Sequence, residues 1–145
     1  MYTKCMKRLN PFPSVSILLP DDIVEDNDPS VASYWREGDS CPLQLSTFYR
    51  QHGSQISAMN RLSDRMATGG QWLMFNLPGQ INGCEIAAAA INDDEGTSWV
   101  HIYLVWEWVA VHATVSGHGA PRSMSGHGTH YSVFVRLSCR QAPYW

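Results

Sequence analysis

Cysteine pairs at metal-binding spacing are missing from this chain: Cys5, Cys41, Cys84 and Cys139 stand far apart and no CxxC occurs. Nor does their spacing look like a short secreted disulfide framework, so reduced cysteines and a cytoplasmic location are expected. Charge is scarce as well. Charged residues make up 16% of the chain, and the basic ones are scattered instead of gathered along one stripe, which argues against nucleic-acid binding. No apolar run approaches the roughly 18 residues that a membrane span needs. At the amino end, Asn10-Pro11-Phe12-Pro13 interrupts what would have to be the apolar segment of a signal peptide. Catalytic signatures are absent too: there is no HEXXH, no GxSxG elbow, and no glycine-rich loop ending in Lys-Ser/Thr. Nucleophilic catalysis and nucleotide binding therefore find no support.

What is present describes a globular chain. Its 145 residues, 44% of them hydrophobic, are enough for one domain with its own core. Six tryptophans and six tyrosines supply large buried areas with polar tips. The net charge of -3 is unevenly spread, because seven of the thirteen acidic residues fall within positions 21–39. That stretch, with Pro29 inside it, reads as a surface loop.

Hydrophobic periodicity gives the elements. Residues 14–20 alternate and then turn apolar, a first strand closed by Pro20. Tyr34-Trp35-Arg36 starts another strand, with Glu37-Gly38-Asp39 as its turn, and residues 43–49 alternate clearly. Over 54–67, Ile56, Met59, Leu62 and Met66 form one helical stripe, with Arg61, Asp64 and Arg65 largely off it. Ser54 is the expected cap, and Gly69-Gly70 the expected stop. Trp72-Leu73-Met74-Phe75 is an apolar run followed by a turn at Leu77-Pro78-Gly79. Residues 84–91 contain four consecutive alanines, yet their position before the hairpin loop Asn92-Asp93-Asp94-Glu95-Gly96 favours a strand.

The strongest signal runs from Trp99 to Val115. Val100, Ile102, Leu104 and Trp106 share one face, and after Glu107 the apolar phase shifts to Val109, Val111, Ala113 and Val115. A slip of one residue exchanges the two faces of a strand, so two strands meeting at Trp106-Glu107-Trp108 are expected. A long loop should follow, then a last element over 131–137.

Three groups of residues are candidates for function. The polar and aromatic face carrying Trp99, His101, Tyr103, Glu107 and His112 is a candidate ligand site, where Glu85 or Glu107 would pair with a histidine as general acid and base. The same face packed beneath a helix, with its histidines hydrogen-bonded, would be purely architectural. Tyr34 and Trp35, within the acidic stretch, are candidate anchors for a protein partner. Ser116-Gly117-His118-Gly119 returns nine residues later as Ser125-Gly126-His127-Gly128, with His130 beyond, so His118, His127 and His130 are candidate zinc ligands. Glycine beside His118 and His127 weakens the preorganisation such a site requires.

The order of elements resembles the Mog1/PsbP-like fold family over residues 14–116. The resemblance rests on a strand ending in Leu19-Pro20, an acidic loop, the Leu43-Gln44-Leu45-Ser46 strand, the helix, and Gly96-Thr97-Ser98-Trp99 followed by Tyr103 and Val111-His112-Ala113-Thr114-Val115. It implies a mostly non-enzymatic protein of the partner-binding, chaperone-like or immunity-type kind found in bacteria. The His/Gly loop and residues 131–137 depart from the family's closing helix, and no binding residue is carried over.

The expected fold is a single α+β domain over 1–145, an antiparallel sheet of five to seven strands with one main helix packed on one face. The expected function is a non-catalytic cytoplasmic partner-binding protein without a cofactor, its partner another protein, with a homodimer as one option and neither nucleic acid nor membrane involved. The alternative is a small-molecule binder or enzyme using the sheet face, and the third reading is zinc binding through the His/Gly loop.

Overall fold

The computed structural model describes residues 5–13, 15–38, 42–49, 56–81, 83–106 and 109–118. They form β1 (Met6–Phe12), β2 (Val15–Pro20), β3 (Ile23–Asn27), β4 (Ala32–Arg36), β5 (Leu43–Tyr49), α1 (Ala58–Met66), β6 (Trp72–Met74), β7 (Gln80–Ile81), β8 (Cys84–Asn92), β9 (Thr97–Trp106) and β10 (Val109–His118). The fold is sheet-dominated α+β, and its strand pairings are antiparallel. Seven strands stand in the order β3-β4-β5-β10-β9-β8-β6, and β7 also pairs with β8. This line reaches the upper end of the expected strand number. The separate β1-β2 hairpin comes in addition.

The hairpin covers one face of the sheet. Phe12, Val15, Ile17 and Leu19 bury themselves against Leu45, Val100, Ile102, Leu104, Val109 and Val111, a single cluster that also takes in Ala88 and Ala90. Every second residue of β9 and β10 contributes, and Trp106 pairs with Val109, so the phase shift in the sequence marks the meeting of two strands. Proline shapes the hairpin. The β1-β2 register slips between Leu9 and Phe12, where Pro11 offers no N–H to the ladder.

On the opposite face, Ala58 and Leu62 of α1 share a second buried cluster with Ala87, Ala89, Tyr103, Val105 and Ala110. Three of those five sheet residues are alanine, so the sheet offers the helix a shallow seat. The alanine run thus serves both clusters from within a strand. Its helix propensity, a few tenths of a kcal/mol per residue, is outweighed by pairing with strands on both sides.

Several details differ from the sequence reading. The acidic stretch is not a loop: β3 and β4 form a hairpin through it. Its turn is built by Asp28, whose Oδ1 accepts from the backbone N–H of Ser30 and of Val31 and from Ser30 Oγ. Those donors hold the Asp28 carboxyl below the usual carboxylate range. Ser57 caps α1, accepting from the Asn60 N–H at 3.0 Å. Met59 is exposed and Ala58 is buried in its place, because the inward row runs 58, 62, 66 and Met59 lies about 100° away from Ala58. Ser116, Gly117 and His118 continue β10, paired with Trp99, Ser98 and Thr97, so the first SGHG tetrapeptide is largely strand. Residues 131–137 and the second tetrapeptide lie outside the described residues.

Candidate functional site

The register of the central strands sets out the helix-side face row by row. Tyr103 stands between Ala87 and His112, and His112 in turn beside Ser46. One row along, His101 stands between Ala89 and Thr114. Because side chains alternate along a strand, Trp99, His101 and Tyr103 emerge on this face together. His112 reaches it from β10 only because the hairpin returns in that register. Four candidates from distant positions therefore share one surface.

His101 and His112 are joined directly. His101 Nδ1 and His112 Nε2 are 2.9 Å apart. Their ring centres are 5.2 Å apart and the rings lie within 13° of parallel. The centres exceed the nitrogen separation by about one ring width, so the rings meet end to end and not face to face. One ring donates N–H and the other accepts, so the two tautomers are linked. Tyr103 stacks on His112 with centres 4.4 Å apart and planes within 2°. Trp72 from β6 meets His101 edge-on at 5.4 Å. Above them, Arg65 Nε donates to Tyr103 Oη at 3.1 Å.

This packing keeps both rings neutral. Burial pushes His101 down to about 4, with the Arg65 guanidinium adding to the effect. His112 is pushed down to about 4 by burial, then by charge on His101 and by Arg65. A carboxylate partner would act the other way. Ionisation of either ring at neutral pH is therefore disfavoured, and the contact is an N–H···N hydrogen bond between two neutral imidazoles.

Trp99 takes a different role. Its Nε1 donates to Asp93 Oδ2 at 3.1 Å, while Asp93 Oδ1 accepts from the N–H of Glu95 and of Thr97. It thus braces the β8-β9 turn, where Gly96 supplies a positive φ of 80°. Glu107 lies outside the described residues, as do His127 and His130. His118 is placed by its backbone at the end of β10. Among the described residues, no group of three or more His, Cys, Asp or Glu is arranged to hold a metal ion.

The two aromatic anchors separate. Tyr34 is 1% exposed, so it is a core residue and not a surface anchor. Burial, and then the Glu25 carboxylate, push its hydroxyl up to about 12. Alternation sends Trp35 to the other face, where it is partly buried and pairs with Val24 of β3. Sequence reasoning missed Arg65, placed off the helical stripe. Three residues beyond Leu62, it returns to the sheet side of the helix; the i, i+3 relation to Leu62 was the available signal.

The edges of the sheet contrast. At β3, Glu25 and Asp26 are exposed and Arg36 Nε lies 3.0 Å from Asp22, so charges guard this side. At β6 there is no charged residue from position 71 to 81, and Leu73 and Met74 are 47% and 46% exposed. The Phe75 N–H donates to Ala88 O at 3.0 Å, and alternation then turns the backbone N–H and C=O of Trp72 and Met74 away from β8.

Neither a scan against protein-family models nor a search of curated proteins gives a match to this chain. No helix among the described residues is long and apolar enough to cross a membrane.

Proposed function

We propose that this chain is a non-catalytic partner-binding protein that takes an extended segment of another protein along β6. The observation that carries the reading is the uncharged edge strand, with Leu73 and Met74 exposed beside outward-facing backbone groups. Strand addition at a sheet edge obtains affinity from main-chain hydrogen bonds and specificity from alternate side chains. Leu73 and Met74 point to opposite faces, so a partner strand with apolar residues at consecutive positions would meet one of them on each side. The guarded β3 edge leaves β6 as the side suited to pairing.

The histidine pair is consistent with a non-catalytic role, since one nitrogen of each ring is held by the other ring. The same proposal carries the Mog1/PsbP-like resemblance, with its chaperone- or immunity-like function, and a cytoplasmic location.

The test is selection from a displayed library of extended peptides on the wild-type chain and on Leu73→Lys/Met74→Lys. Peptides with apolar residues at consecutive positions, enriched only on wild type, together with slowed amide exchange at Trp72 and Met74, support strand addition. Equal enrichment on both chains, or no enrichment on wild type, would refute it.

A further inference from the structure

Arg61 and Arg65 stand four residues apart on α1, which puts them on one side of the helix about 6 Å apart along its axis. Each leans on an aromatic ring of the sheet. The Arg61 guanidinium carbon lies 5.4 Å from the centre of the Phe48 ring, and Arg65 Nε donates to Tyr103 Oη. Those rings belong to successive rows of the same face. Phe48 pairs with Ala110, and two positions along, Ser46 pairs with His112, which pairs with Tyr103. Rows of like-facing residues are about 7 Å apart along a strand, close to the rise between the two arginines. The helix therefore carries one guanidinium over each row, Arg61 over Phe48 of β5 and Arg65 over Tyr103 of β9.

Neither guanidinium has a carboxylate partner among the described residues, where the ion pair present is Arg36 with Asp22. Like charges at this helical spacing repel. Arg65 uses Nε on Tyr103 and keeps its two terminal nitrogens for another acceptor. The floor beside them offers Ser46, half-buried and uncharged, and the exposed ring of Phe48.

We propose that Arg61 and Arg65 form a binding site for an oxyanion, the carboxylate or phosphate group of a small ligand, where α1 crosses Phe48 of β5 and Tyr103 of β9. Guanidinium is suited to this because its planar fork presents parallel N–H donors to two oxygens. A bound oxyanion would relieve the repulsion between the arginines. It would also offset the Arg65 charge that reaches His101 and His112, so their titration reports occupancy. The groups facing that pair are Arg65 from α1 and Tyr103 from β9, while β8 presents Ala87 and Ala89 there. This inference stands apart from strand addition at β6.

The experiment is a titration of the full chain with inorganic phosphate and, separately, acetate, with chloride replaced at constant ionic strength. Arginine Nε–H and histidine ring signals are followed by NMR. The expected result is saturable movement of the Arg61 and Arg65 signals, an upward shift of the histidine midpoints, and binding about tenfold weaker in Arg61→Gln. Phosphate alone acting would assign a phosphate ligand, acetate acting as well a carboxylate. Arg61→Lys serves as the second variant, retaining charge and part of the binding if Arg61→Gln is poorly folded. Absence of saturation with either anion, or unchanged binding in both Arg61 variants, would overturn the proposal.

Discussion

Acid should loosen this protein well above the range in which carboxylates protonate, and the histidine pair is the reason. In the unfolded chain each ring titrates near its ordinary value of 6.5, whereas in the folded protein both lie near 4. The unfolded state therefore binds more protons between those values, and stability rises with pH across that window. It is fully present above 6.5, is lost as pH falls toward 4, and changes no further below. At full weight the difference corresponds to roughly 3 kcal/mol per ring. Both rings retain some solvent exposure, and screening reduces this to about 1–2 kcal/mol each. They also share one hydrogen bond, so a first proton can be held between two nitrogens while a second leaves both as donors. The pair together should contribute about 2–3 kcal/mol. Urea unfolding followed by tryptophan fluorescence, at a series of pH values from 7.5 to 4.5, measures this directly in wild type and in His101→Gln/His112→Gln. The advantage of wild type over the variant should shrink by about 2 kcal/mol across the series. Profiles that run parallel would refute the reasoning, as would ring signals titrating near 6.5. The Asp28 carboxyl, held low by its backbone donors, loses its contribution only as pH falls below the usual 3.8 and does not enter this window.

Two substitutions test the supports of α1. Gly70 has a φ of 94°, and an added Cβ would lie 2.5 Å from Ile91 Cδ1; Gly70→Ala should cost about 1–2 kcal/mol in thermal or urea unfolding, mainly from the backbone conformation. Ser57→Ala removes the acceptor of the Asn60 N–H and should cost about 1 kcal/mol, with faster amide exchange confined to the first turn of the helix.

How much of this was legible beforehand differs by element. The alternation of β9 and β10 and the place where they meet could be read, because a strict alternation with one phase shift has no helical counterpart, whereas β10 runs three residues further than its apolar pattern, to His118. β3 could not, since Glu25, Asp26 and Asn27 have low strand propensity and owe their conformation to pairing with β4. The inward side of α1 was misjudged by one position. Stripes through Met59 and through Ala58 differ by one position, and the shallow alanine seat on β8 takes Ala58. His101 and Tyr103 could be placed on one face from their own strand. That His112 completes the group required the register of the hairpin.

The sequence by itself determined the α+β class, the antiparallel β9-β10 pair and the uncharged character of positions 71–81, because each follows from local periodicity or composition. Tertiary structure alone decided that the 71–81 stretch lies on an edge, that Tyr34 is interior, and that Arg65 meets Tyr103. It also decided that two histidines eleven residues apart are hydrogen-bonded to each other. These depend on which strands become neighbours and in what register, a choice made by burying the whole set of apolar faces at once.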